Sequence, residues 1–290
     1  MPHKAAQASP CHGREAALDL HFIETILQPA VRGALPEPLP GDAYLAGGTW
    51  LFSEPQPDLR RLVDLGSLGW PSLRILPEGG LEIAATCRLA ELKAFMPPSE
   101  WRASALFGLC CDALWGSFKI HNTATVGGNL CLALPAGPMA ALMTALDGRC
   151  LVWTPDGGER WLEAAEFVTD AGCCALRPGE LLRAVRLPDA ALRRTHAFRQ
   201  ASLTRLGRSA ALLIGTRDAG LDGMKLTITA AVRTPIRLDF PILPSADALS
   251  AALSSALTDA SLHDDVHGAP DWKRHMACLL AEEIRQEFQA

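Results

Sequence analysis

Two pairs of adjacent glycines constrain this chain more than any other feature: Ala46-Gly47-Gly48-Thr49 and Ala124-Thr125-Val126-Gly127-Gly128-Asn129. Each stands where an apolar run gives way to a polar or helical one, the first directly after Tyr44-Leu45-Ala46. Consecutive glycines reach positive φ and allow close approach, so several backbone N–H groups can converge on one anion. Thr49, Thr125 and Asn129 add side-chain donors. One Gly-Gly-Thr by itself reads as an ordinary turn. A second such segment shifts the reading to a diphosphate held between two glycine turns. Neither segment has Gly-x-Gly-x-x-Gly spacing or a Walker lysine, so a Rossmann fold or P-loop is unsupported.

The surrounding pattern places these turns in a mixed architecture. Apolar positions at Leu18, Leu20, Ile23, Ile26 and Leu27 predict a helix over residues 18–31, followed by a proline-rich linker at 35–40. Short strands are expected around 44–46, 62–65 and 81–85, and helices over 88–95 and 99–116. The apolar run at 130–146 carries Pro135, Gly137 and Pro138 and reads as buried core, not a membrane span. Strands at 150–153 and 182–187 end at Pro188, where a domain boundary is expected. Beyond it, strand patterns at 210–214, 225–231 and 237–240 predict a three-stranded sheet, with helices over 246–257 and 272–288. The fold class expected is therefore α+β: a tail over 1–17, a first domain over 18–190 with lobes at about 18–98 and 99–190, and a second domain over 191–290.

Composition removes several function classes. With 49% hydrophobic and 20% charged residues the 290-residue chain reads as globular. A net charge of −5 gives no basic field for nucleic acid or an anionic membrane. No apolar stretch of signal-peptide length opens the sequence, so a cytoplasmic location with reduced cysteines is expected. The nine cysteines include two adjacent pairs and no Cys-x-x-Cys spacing, which argues for small buried hydrophobes over an iron–sulfur or zinc framework. His263 and His267 have zinc-helix spacing, but the aspartates between them and Gly268 and Pro270 after them read as a loop. No metal site is assigned to this chain. Nor does it show a Ser/His/Asp set or paired carboxylates for bond-breaking chemistry.

Both glycine segments, with Leu130 and Pro135 behind the second, then Glu180-Leu181-Leu182 running to Leu187-Pro188, resemble the flavin subunits of xanthine dehydrogenases and carbon monoxide dehydrogenases. Phe198-Arg199-Gln200-Ala201-Ser202, with Arg205, Gly207 and Ser209 following, is similar to the start of that family's C-terminal domain. The resemblance runs from about residue 18 to the end. It implies a two-lobed FAD-binding domain of the vanillyl-alcohol-oxidase (PCMH) type, then a small α+β domain of the CO dehydrogenase flavoprotein type. FAD would be bound non-covalently by Leu45, Ala46, Gly47, Gly48, Thr49 and Trp50 from one lobe and by Ala124, Thr125, Gly127, Gly128, Asn129 and Cys131 from the other, with Gly47, Gly48, Thr49, Thr125, Gly127, Gly128 and Asn129 anchoring the pyrophosphate. Leu51 would lie near the flavin, Trp115 against the isoalloxazine, and Leu181 and Leu182 along the adenine end or the nearby wall. Arg199 falls where some relatives have a lysine near the flavin; an exposed strand arginine is the alternative.

The resemblance also implies a heteromeric molybdenum hydroxylase. A molybdenum-pterin large subunit would oxidise the substrate, [2Fe-2S] clusters of a small subunit would relay the electrons, and this chain's FAD would discharge them to NAD, oxygen or another acceptor. The inserted four-cysteine loop of some relatives is absent. Two departures stand out: Pro138 where relatives commonly have a ribose-binding Asp, and His121 where they often have Arg or Lys. Pro138 motivates one alternative, a docking subunit with weak or lost FAD binding; a free-standing flavin oxidase is another.

Overall fold

The computed structural model describes Leu20 and residues 22–290. The tail expected over 1–17 lies outside the described residues. Where described, the segment read as a helix over 18–31 is not helical: it holds strand β1 (Thr25–Leu27). Pro29 follows closely, and proline both lacks an N–H and pushes the residue before it toward extended geometry. The helical spacing of Ile23, Ile26 and Leu27 therefore gives way to pairing. β1 and β2 (Asp42–Leu45) flank β3 (Arg61–Asp64), both in parallel, as a three-stranded sheet.

The second lobe is built on a five-stranded antiparallel sheet. Chain order from Leu73 to Leu192 is β4 (Leu73–Ile75), β5 (Leu81–Ala84), α1 (Leu89–Ala94), α2 (Ala105–Ala113), α3 (Phe118–His121), α4 (Val126–Leu132), α5 (Pro138–Ala145), β6 (Arg149–Trp153), β7 (Glu159–Glu163), α6 (Ala164–Phe167), hairpin β8 (Val168–Asp170) and β9 (Cys173–Cys174), β10 (Leu181–Leu187) and α7 (Asp189–Leu192). The sheet order is β4-β5-β10-β6-β7. Because β4 and β5 pair here, the two sheets divide the chain near residue 70, not near 98 as the sequence pattern implied. Leu81 and Ile83 of β5, Leu89 and Leu92 of α1, Leu106 and Phe107 of α2, and Leu130 of α4 form one dry core. Every residue of α5 is buried, as a helix apolar all round but for Thr144 requires.

The C-terminal sheet has four strands, β11 (Thr195–Ala201), β12 (Ala211–Arg217), β13 (Met224–Thr229) and β14 (Ile236–Phe240), paired antiparallel in that order. The α+β class holds, but the count of three read from the sequence lacks β11. Its residues do not alternate apolar and polar, because one side is occupied by arginine bonded to the last helix. The sheet is buried on both faces. Leu212 and Ile214 join the second-lobe core, where α5 packs against β12 and β13. Leu213, Leu226 and Ile228 face α8 (Ala246–Ala256) and α9 (Pro270–Gln289). Gly215 lets α9 dock closely, since a Cβ there would lie 2.4 Å from Ile284. His263 and His267 lie in the loop before α9, where the buried Lys273 Nζ donates to the His263 carbonyl at 3.0 Å and to Asp265 at 2.7 Å.

Candidate functional site

The first glycine turn leaves the end of β2 and lies against the second. Gly47 packs directly on the other lobe: a Cβ there would sit 2.1 Å from the Thr123 carbonyl oxygen. Only glycine permits that approach. Gly48 has φ +71°, and the turn closes through Phe52 N–H donating to the Gly48 carbonyl at 2.9 Å. The N–H groups of Gly47, Gly48 and Thr49 have no acceptor among the described residues. Unpartnered, converging amides of this kind form an anion nest.

The second segment works differently from the sequence reading. Thr125 caps α4, its Oγ1 accepting from Gly128 N–H at 3.0 Å. Val126 N–H donates to Cys87 O and Gly127 N–H to Ala85 O, both at 2.9 Å, and Asn129 N–H donates to Thr125 O at 3.0 Å. The amides of residues 126–129 are thus engaged within the protein. What this wall offers is side-chain donors: the Thr125 hydroxyl proton, and the Asn129 amide, whose Oδ1 accepts from Met139 N–H at 3.1 Å and leaves Nδ2 for a ligand. Gly127 packs on Ala85, where a Cβ would meet 2.5 Å contacts, and does not face the opening.

Between these walls lies a cleft of about 580 Å³. It is lined by Leu45, Ala46, Gly47, Gly48, Thr49, Trp50, Leu51, Trp115, Ala124, Thr125, Gly128, Asn129 and Cys131, which the sequence singled out, and the aromatics among them, Trp50 and Trp115, are exposed. The other sequence candidates lie elsewhere. Leu181 and Leu182 are buried in β10, and Gly127 is buried in the first turn of α4. Arg199 donates from Nε to Glu283 at 2.8 Å and from Nη2 to Glu287 at 2.7 Å, both on α9. The cleft also takes in residues the sequence reading passed over, chiefly Ile120, Leu134, Glu54 and Arg208. Arg208 comes from the loop between β11 and β12, and its only sequence signal is a polar, glycine-containing stretch after a strand.

Both departures from the family pattern have local causes. Pro138 opens α5 as its first residue, a position where its missing N–H costs nothing. It is buried and lies off the cleft, while its neighbour Gly137 is on the lining. His121 Nε2 bonds the Leu114 carbonyl at 3.1 Å, bracing the chain just before Trp115. Cys131 meets the cleft as a thiol: a side-chain hydrogen bond with Cys174 and burial push its pKa well up. A second concavity of about 490 Å³ at the C-terminal sheet contains Lys225, Arg237, Asp218, Asp222 and Asp239. Its charged side chains all pair with protein groups, which leaves them little to offer a ligand. Among the described residues no group of His, Cys, Asp and Glu forms a metal site, and no helix is long and apolar enough to cross a membrane.

A cleft between two lobes, with free backbone amides on one wall and hydroxyl and amide donors on the other, defines a protein that holds a phosphate-bearing cofactor across a lobe boundary. The donor set fits the diphosphate of a dinucleotide. Residues 34–190 match the family described as the FAD binding domain in molybdopterin dehydrogenase, and the chain belongs to that family of oxidoreductase components. It is 35% identical over 124 residues to the caffeine dehydrogenase subunit beta of Pseudomonas sp. (strain CBB1), an alignment covering 41% of this chain and 41% of that one. The chain thus matches less than half the length of that relative. It is 26% identical over 216 residues to the aldehyde oxidoreductase FAD-binding subunit PaoB of Escherichia coli (strain K12), covering 57% of this chain and 67% of the relative. In fold it is similar to a chain of reconstituted CO dehydrogenase from Oligotropha carboxidovorans, with a TM-score of 0.76 at 20% identity over 91% of this chain and 96% of that chain.

Proposed function

We propose that this chain is the FAD-binding electron-transfer subunit of a heteromeric molybdenum hydroxylase in the cytoplasm. The observation that carries the reading is the contact between the two glycine segments, Gly47 against Thr123, which makes one cleft of two lobes and sets the free amides of residues 47–49 opposite Thr125 and Asn129. Bound FAD would supply the redox chemistry, accepting electrons from one partner and releasing them to another. The amides of Gly47, Gly48 and Thr49 would hold the phosphate oxygens. Thr125 and Asn129 would complete that grip from the second lobe. Trp115, Leu51 and Ile120 would cover apolar ring surface and exclude water.

The partners that fit this role are a [2Fe-2S] subunit delivering single electrons and a molybdenum-pterin subunit acting on the organic substrate. The names of the relatives, a caffeine dehydrogenase subunit beta and an aldehyde oxidoreductase FAD-binding subunit, support a place as one subunit of a larger oxidoreductase. The chain's domains on this reading are the FAD-binding domain to about residue 190 and the C-terminal domain beyond it. FAD added to the full chain should give flavin absorption bands that persist through gel filtration. Copurification of the tagged chain from its native host should bring molybdenum and iron with it. A chain that takes up no flavin is the docking subunit instead; a chain that binds flavin but brings neither metal is a free-standing flavoprotein.

A further inference from the structure

We propose that Arg208, carried by the C-terminal domain, is the counter-charge for the diphosphate of the cofactor held in the lobe cleft. The inference rests on the FAD reading and adds a residue from outside the FAD-binding domain. The donors identified above are all neutral: the amides of residues 47–49, the Thr125 hydroxyl and the Asn129 amide. The amides of residues 126–129, which would otherwise add helix N-terminal donors, are engaged with Cys87, Ala85 and Thr125. A diphosphate brings formal negative charge into this cleft, and burying it calls for a cation.

Among the described residues lining the cleft, Arg208 is the one basic side chain, and Glu54 the one acid. Arg208 makes no hydrogen bond or ion pair among the described residues, unlike Arg199, Arg194, Arg217, Arg233 and Arg237 of the same domain. Its place in the loop is set from both sides. Ser209 is buried and accepts from Gln200 Nε2 at 2.9 Å, Ala210 N–H donates to Ala201 O at 2.8 Å, and Gly207 N–H donates to Thr204 O at 3.0 Å. The anchor residues hold the backbone where Arg208 lines the cleft, and its guanidinium has no protein partner among the described residues, as a side chain that binds a bidentate oxyanion requires.

The test uses the full-length chain freed of flavin, as wild type, Arg208→Ala and Arg208→Lys, with binding of FAD and of riboflavin followed by flavin fluorescence at several salt concentrations. Arg208→Ala is expected to weaken FAD binding about 10- to 100-fold, to flatten its salt dependence, and to leave riboflavin binding unchanged; Arg208→Lys should fall between. Unchanged FAD affinity in Arg208→Ala overturns the assignment. So does an equal loss of FAD and riboflavin, which would place Arg208 on the ring, and so does a weakened affinity whose salt dependence is unaltered. A wild-type chain that binds no FAD is a different result: it removes the FAD reading itself. Arg208 is exposed in a loop, so its replacement leaves the fold intact, which circular dichroism of each variant checks.

Discussion

At the scale of single residues, the four glycines of the two turns do different jobs. Gly47 permits lobe contact, Gly48 a left-handed turn and Gly127 packing on Ala85, while Gly128 lines the cleft where a Cβ would meet just the Thr125 hydroxyl at 2.9 Å. Gly47→Ala therefore drives a methyl into the Thr123 carbonyl and forces the lobes apart, an overpacking cost of about 1–3 kcal/mol. FAD affinity should drop at least tenfold in a fluorescence titration. Gly108→Ala in α2 is the matched control, since nothing lies within 4 Å of its Cβ position. It should raise stability by about 0.5–1 kcal/mol and leave flavin binding alone. Thr125→Val removes both the α4 cap and a ligand donor. It should cost about 1 kcal/mol in chemical denaturation and weaken FAD, while Thr125→Ser keeps both properties near wild type.

At the scale of elements, Arg199 gives the sharpest division between sequence and structure. On β11 it holds two glutamates of α9, in exposed ion pairs of the kind that contribute under 1 kcal/mol. Arg199→Ala is expected to lower the melting temperature by a few degrees at most and to leave FAD affinity and the flavin spectrum unchanged; a shifted spectrum would place it at the ring after all. The elements legible in the sequence are those with one strong period or one dominant burial. α5, α8 and α9 fall where their apolar stripes lie, and β6 and β10 where β-branched and leucine-rich runs meet turn residues. β1 and β11 were not legible. β1 is three residues long with Ile26 exposed, too short for a period-two pattern, and β11 mixes faces because α9 covers one side with charge. The glycine turns showed where the cleft is, since glycine records a backbone need directly. They could not show which amides were already engaged, because that depends on β5 passing beside α4, a contact between segments some forty residues apart in sequence.

At the scale of the whole molecule, the C-terminal domain reaches the cleft only because it is fixed to the second lobe, and Asp147 is central to that junction. It sits with φ +50° in the turn between α5 and β6, and its carboxylate takes Arg194 at 2.5 Å, Lys225 at 3.0 Å and Arg237 at 2.6 Å, all from beyond residue 190. Burial alone would raise its pKa, but hydrogen bonds and charge from Arg194, with Lys225 and Arg237, outweigh burial and lower it. A folded-state value below the unfolded one of about 3.9 means that the stabilisation is fully present above that pH and fades as pH falls through the folded value. Asp147→Asn leaves the buried Arg194 guanidinium short of a counter-charge, and at neutral pH should cost about 2–3 kcal/mol in urea unfolding. The gap between wild type and variant should close as the pH is taken below about 3.9; a gap constant from neutral pH to pH 3 would mean that the carboxylate acts by shape and not by charge.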